Sequence, residues 1–229
     1  MPLSLEHRRV GDITIVTCTG RIVEGAESLA LRELLDEQLP FGPHLILHVG
    51  AVEFVDSSGL GLLARYAART RKAGGGIRLC APSMKVAAVL KATRLEQVFE
   101  SHESEEDAVT AFYRGSSAGL RSPALSTDIL CVAESIDVQA YVRELLGQTG
   151  YSVLTAGNLP DGLVLLQATQ PRLVIVTAEL RRTRSTHAAE KFNRLADGVS
   201  VIELPAEFSS RDAGDAGKSL LDSVRAVRL

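Results

Sequence analysis

The sequence predicts an α/β protein of two consecutive units, a mixed sheet with helices followed by a truncated, doubly wound layer. Three observations predict it. Strand-length apolar runs alternate with segments whose apolar residues recur at helical spacing. A hairpin signal near the start places an antiparallel pair in the first sheet. The stretch 115–127, GSSAGLRSPALST, is small, polar and punctuated by Gly and Pro, the composition of a flexible linker. The expected organisation is therefore a first domain over 1–115, a linker over 116–127 and a second domain over 128–229. With 229 residues, 45% of them hydrophobic, the chain can bury one large core or two small ones, and its length favours two domains.

In the first domain, Leu5–Val10 and Ile13–Thr19 flank the turn signal Gly11-Asp12. From Glu27 to Leu39, Leu29, Leu31, Leu34, Leu35 and Leu39 fall at helical spacing, with Arg32, Glu33, Asp36 and Glu37 left for solvent, until Pro40 and Pro43 stop the helix. His44–Val49 and Val52–Val55 read as buried strand, Gly59–Lys72 as helix, Gly74-Gly75-Gly76 as a turn and Ile77–Cys80 as strand. Helices are expected over Ser83–Ala92 and Ser104–Tyr113, the latter with Ser104 as N-cap and Glu105, Glu106 and Asp107 in a first turn that suits the helix dipole.

Beyond the linker the expected order is strand Ile129–Val132, helix Val138–Leu146, strand Ser152–Leu154, helix Leu159–Ala168 and strand Leu173–Val176. A helix near Ala188–Leu195, strand Val199–Leu204 and helix Lys218–Val227 follow. Strict alternation implies a parallel, right-handed layer. The stretch after Thr177 is short by about one strand–helix unit of a doubly wound domain. Whether the fourth or the fifth strand is missing stays open at this level.

Composition argues against several functions. The net charge of −3 gives no reason to expect nucleic acid or an anionic membrane as partner. No apolar run reaches the ~18 residues of a membrane span, and MPLSLEHRRV lacks the apolar core of a signal peptide, so a cytoplasmic protein is expected. Cys18, Cys80 and Cys131 are odd in number and lie in apolar runs, which suits buried free thiols. The five histidines form no metal-ligand spacing: His44 and His48 sit four apart, but in a strand-like run, and both read as structural. No metal and no cofactor are expected.

The most informative stretch is Val52-Glu53-Phe54-Val55-Asp56-Ser57-Ser58-Gly59-Leu60-Gly61, an apolar strand running into Asp-Ser-Ser-Gly and then an amphipathic helix. Such a junction puts hydroxyls at a helix N-terminus, where unpaired N–H groups and the dipole favour an added phosphate. On residues alone, Asp56 and Ser57 are better read as caps worth about 0.5–2 kcal/mol, and Gly59 and Gly61 as small residues allowing close packing. An esterase does not fit: a nucleophile elbow is Gly-x-Ser-x-Gly, and Val55-Asp56-Ser57-Ser58-Gly59 has only the second glycine. Arg65, Arg69 and Lys72 share a face of the following helix, ordinarily a solvated stripe, and alternatively a patch for acidic residues of a partner.

Residues 3–115 resemble the STAS fold of anti-sigma factor antagonists, at Gly20-Arg21-Ile22-Val23, at Phe54-Val55-Asp56-Ser57-Ser58-Gly59-Leu60-Gly61 and at Lys72-Ala73-Gly74-Gly75. The resemblance implies a non-enzymatic bacterial switch, in which the serine after the Asp, here Ser57, is phosphorylated by a GHKL-type serine kinase that is also the anti-sigma factor. Ser58 is the alternative acceptor. Binding is expected to involve Asp56, Ser57, Ser58, Gly59, Arg65 and Arg69. A serine phosphatase and a homodimer are further expected partners. The competing reading is a scaffold or adaptor in a multi-protein signalling complex with no sigma-factor role, in which the serine only caps.

Residues 128–229 resemble a response-regulator receiver, a flavodoxin-like fold, in Ile129-Leu130-Cys131-Val132, in Leu145–Ala156 and in Pro171-Arg172-Leu173-Val174-Ile175-Val176. The resemblance implies an acidic pair after the first strand, where this chain has Ala133 and Glu134, and a phosphoacceptor Asp where it has Thr177. The late lysine of the family has no counterpart around Val201-Ile202-Glu203-Leu204-Pro205. A degenerate receiver-like domain is therefore expected, and a receiver phosphorylated through a histidine kinase is disfavoured.

Overall fold

The structure is a computed structural model that describes residues 1–114, 127–183, 186–205, 208 and 213–227. It divides into two compact units, Met1–Ser122 and Pro123–Leu229. The expected linker lies outside the described residues except for Thr127.

In the first unit β1 (Ser4–Val10) and β2 (Ile13–Ile22) form the expected antiparallel hairpin. There follow α1 (Ala26–Gln38), β3 (His44–Val55), α2 (Ser57–Lys72), β4 (Gly76–Cys80), α3 (Met84–Ala92), β5 (Glu100–His102) and α4 (Glu105–Arg114). The sheet order is β1-β2-β3-β4-β5, and every pair after the hairpin is parallel. The mixed sheet is thus one hairpin extended by crossovers. Gly20 in β2 has φ of 102°, and a Cβ there would lie 2.2 Å from the Pro2 carbonyl oxygen, so only glycine fits that bend.

Leu45, Leu47 and Leu79 of the central strands, with Val16 and Cys18, pack against Leu31 and Leu35 of α1, Leu62, Leu63 and Tyr66 of α2 and Leu90 of α3. On the strand positions of opposite parity lies α4. Its Phe112 meets His44 edge-on at 5.0 Å and lies under the Arg78 guanidinium, 3.7 Å from the ring centroid. Arg78 is almost enclosed, and its Nε donates to Glu100 Oε2 at 3.0 Å, which matches the buried charge.

Several element expectations need correction. The runs His44–Val49 and Val52–Val55 are one strand, β3, continuous through Gly50-Ala51. Phe54, read as buried strand, is exposed, because β3 outruns β4: the β3–β4 ladder ends at His48↔Cys80, and beyond it β3 pairs only with β2. The strand β5 was not anticipated, since Glu-Ser-His carries no apolar signal. Helix α2 begins at Ser57, not Gly59, and α5 at Ile136, not Val138, because the caps Asp56 and Ser135 precede the apolar pattern by a turn.

The second unit comprises β6 (Ile129–Val132), α5 (Ile136–Gly147), β7 (Val153–Ala156), α6 (Leu159–Thr169), β8 (Leu173–Thr177), a short unanticipated α7 (Ala178–Arg182), α8 (His187–Ala196), β9 (Ser200–Leu204) and α9 (Ala213–Ala226). Here too β7 and α9 depart by a few residues from the expected bounds. All strands are parallel, in the order β7-β6-β8-β9. That is the doubly wound order 2-1-3-4. Ile129, Cys131, Leu173 and Ile175 pack with Val138 and Val142 of α5 and with Leu220 and Val224 of α9. Gly162 of α6 approaches Val132 and Phe192, which sets α6 and α8 together. β9 pairs beside β8 at the edge of this sheet, and no fifth strand joins it among the described residues.

Candidate functional site

The overhang of β3 delivers Asp56 to the start of α2. Its backbone N–H donates to the Ile22 carbonyl at 3.2 Å, which ties the junction to the end of β2. The carboxylate then accepts two backbone N–H groups, Gly59 at 2.7 Å on Oδ1 and Glu24 at 2.9 Å on Oδ2. These donors, Gly59 foremost and then Glu24, with a further contribution from the Ser58 N–H, hold the Asp56 carboxyl below the usual carboxylate range. Asp56 is the N-cap, and Ser57 is the first helical residue.

At the helix end the Asp56 carboxylate does not leave the Gly59 N–H open. Nor does Ser57 share the capping role. Both serines are exposed, but they differ in their bonding. Ser58 Oγ donates to Glu24 Oε2 at 3.4 Å, whereas Ser57 Oγ makes no hydrogen bond among the described residues. Ser57 therefore presents the freer hydroxyl, beside one carboxylate and near a second. A phosphate there would add about −1.5 to −2 charges. Its effect would fall on whatever approaches the surface.

The two motif glycines separate. Gly59 is buried, and a Cβ on it would lie 2.4 Å from the Ile22 carbonyl oxygen, so it supplies close approach of helix to strand rather than a contact surface. Gly61 is exposed, has no positive φ, and a Cβ on it would meet nothing within 4 Å. The packing role expected for Gly61 is thus not met among the described residues. A helix-interior glycine costs roughly 0.5–1 kcal/mol relative to alanine.

The basic stripe is partly engaged. Arg69 Nη1 is 2.5 Å from Asp36 Oδ1 of α1 and its guanidinium lies over the Tyr66 ring, 4.8 Å from the centroid. Arg65 is exposed and makes no ion pair among the described residues, lining a shallow cleft between α1 and α2 with Glu33 and Glu37. Sequence reasoning missed the exposed apolar residues at this end of the sheet, Phe54 (52% exposed) and Met84 (90%). Met84 opens α3, whose cap Ser83 donates from Oγ to the Val52 carbonyl of β3 at 2.9 Å. A signal existed for Met84, an apolar residue directly after an N-cap serine.

In the second unit Ala133, Glu134 and Thr177 stand at the carboxyl ends of the neighbouring strands β6 and β8, the side on which doubly wound sheets bind ligands. Ala133 is buried, with its carbonyl accepting from Gln139 Nε2 at 2.7 Å, and Glu134 is exposed. Thr177 Oγ1 is buried and makes no hydrogen bond among the described residues. Among the described residues no three His, Cys, Asp or Glu side chains are placed to hold a metal ion. The three cysteines are free and buried, and burial pushes the Cys18 and Cys131 thiols up to about 12 and Cys80 to about 11, far from thiolate reactivity. No helix among the described residues is long and apolar enough to cross a membrane.

Compared with known proteins, residues 4–108 match the STAS domain family. A Thermotoga maritima protein solved as a candidate anti-sigma factor antagonist is 21% identical, with 47% of this chain and 93% of that one covered and a TM-score of 0.45. An anti-sigma factor antagonist from Mycobacterium paratuberculosis is 23% identical, over 48% and 93% of the two chains, with a TM-score of 0.42. The Bacillus cell fate determinant SpoIIAA in its phosphorylated form is 18% identical, over 46% and 96%, with a TM-score of 0.40. No curated protein matches this chain.

Proposed function

We propose that this chain, whose residues 4–108 form a STAS domain, is a bacterial anti-sigma factor antagonist, a non-enzymatic binding switch set by phosphorylation of Ser57. With Ser57 free, an anti-sigma factor of the GHKL serine-kinase type docks over the start of α2 and its sigma factor is released. Phosphorylation ends that docking. The observation that carries this reading is the division of labour at the junction: Asp56 alone closes the helix end, which leaves Ser57 exposed with an unbonded hydroxyl.

Chemically, Ser57 Oγ attacks the γ-phosphorus of ATP bound to the partner, the bond to the ADP oxygen breaks, and the serine proton passes to a base on the partner. The resulting phosphoserine stands beside the Asp56 carboxylate. An apposed surface would have to desolvate both charges, and like-charge crowding of this kind breaks an interface. Ser58 is the weaker acceptor because Glu24 holds its hydroxyl. A serine phosphatase would reset the switch. The second unit, with Ala133, Glu134 and Thr177 in place of an acidic pair and an aspartate, is a degenerate receiver-like module.

Wild-type, Ser57→Ala and Ser57→Asp proteins, each tagged and exposed to lysate of the source organism, test this, with captured partners identified by mass spectrometry. A GHKL-type kinase retained by wild type and Ser57→Ala but lost from Ser57→Asp is the expected result. Equal recovery of all partners by the three forms, with stable self-association in each, would instead make the protein a scaffold.

A further inference from the structure

Nothing among the described residues needs a glycine at position 61. Its backbone is not in the left-handed region, and a β-carbon would meet no atom within 4 Å. Two residues earlier, Gly59 is required by the carbonyl of Ile22. One motif glycine is therefore explained by the fold and the other is not. Gly61 lies four residues after Ser57 and four before Arg65, so the three share one exposed face of α2. At 1.5 Å rise per residue, the bare backbone at Gly61 is about 6 Å along the helix axis from the phosphoacceptor.

Phosphoryl transfer sets a demanding distance. The attacking oxygen must come within about 3–3.5 Å of phosphorus, in a cleft closed to bulk water. A hydroxyl on the first turn of a rigid helix cannot extend to meet the nucleotide as a loop would. The helix itself must enter the cleft, and its next turn must pass the rim. We propose that Gly61 is that passing point: the serine kinase closes onto the bare backbone of α2 there, and the missing side chain admits Ser57 to its phosphate donor. The inference rests on the reading of Ser57 as phosphoacceptor and assigns Gly61 as a partner-contact residue of the same site.

The assignment makes stability and recognition move in opposite directions. Gly61→Ala removes an unfavourable helix glycine into open space, so its melting temperature should equal or exceed that of wild type. Its phosphorylation by the purified GHKL-type kinase recovered on the wild-type protein should fall at least tenfold in kcat/KM, and Gly61→Leu should fall further while remaining folded. Wild-type rates in both variants would overturn the inference and leave the switch at Ser57 intact. A wild-type protein that neither binds nor is phosphorylated by such a kinase would overturn the switch, and this inference with it.

Discussion

Asp56 closes the N-terminus of α2 and at the same time fixes Glu24 through its second oxygen, so one side chain ties the site to the end of β2 as well as to the helix. Asp56→Ala should therefore cost about 0.5–2 kcal/mol, as cap removals do, while Ser57→Ala, at an exposed hydroxyl without a bond, should stay within about 0.5 kcal/mol of wild type. Urea denaturation midpoints of the two variants check this contrast, and a loss at Ser57 equal to that at Asp56 would return the serine to a capping role. Gly59→Ala should be worse than either, because the Ile22 carbonyl stands in the way of the new methyl, and overpacking of a closed site costs roughly 1–3 kcal/mol. At this scale the sequence located the strand-to-helix junction. The Asp-Ser-Ser-Gly order marked the junction, but the roles within it follow from which atoms reach the Gly59 and Glu24 amides, and no spacing rule separates Asp56 from Ser57 in that respect. Likewise Gly59 and Gly61 look alike in sequence and differ only in what a β-carbon would touch.

Helix α4 is held to the sheet by a small aromatic and charged cluster in which Phe112 meets His44 and Arg78, and Arg78 Nη2 donates to the Ala111 carbonyl at 3.3 Å. Burial holds His44 below the usual imidazole range, with Arg78 acting in the same direction against Asp12. Burial does the same for His102, where Glu100 and Asp107 oppose Arg78. Both bases thus have folded-state pKa values below the unfolded value near 6.5. The unfolded state binds the extra protons as pH falls from about 6.5 through the folded values, so stability is complete above that window and declines within it. Amide exchange of residues 105–114, corrected for the intrinsic rate, should accelerate between pH 7.5 and 5.5 in wild type and less so in His44→Gln with His102→Gln. An unchanged acceleration in that variant would remove the histidines from the explanation. The elements that sequence missed, β5 and α7, are short and lack periodicity, and α2 and α5 begin early because their first turns are polar. Phe54 was misjudged for a related reason: a strand's apolar pattern does not reveal where its neighbour ends.

In the second unit the parallel order β7-β6-β8-β9 carries Ala133, Glu134 and Thr177 to adjacent strand ends, where the proposed receiver-like reading calls for an acidic pair and an aspartate. Threonine cannot form an acyl phosphate, and on that reading the pair has a single carboxylate. Incubation with acetyl phosphate and Mg²⁺ should leave the intact mass unchanged, and an acid-labile gain of one phosphate would contradict a degenerate receiver-like unit. Alternation of strand and helix was legible in the sequence, whereas the order of the second sheet became clear only from the strand pairings, β9 beside β8 among them. The proposed switch lies in the first unit, and one phosphate would set its sign. The most direct measurement is calorimetric titration of the captured serine kinase with unphosphorylated and Ser57-phosphorylated protein in the same buffer. A switch at Ser57 predicts at least a hundredfold weaker binding of the phosphorylated form, and equal dissociation constants for the two forms would contradict it.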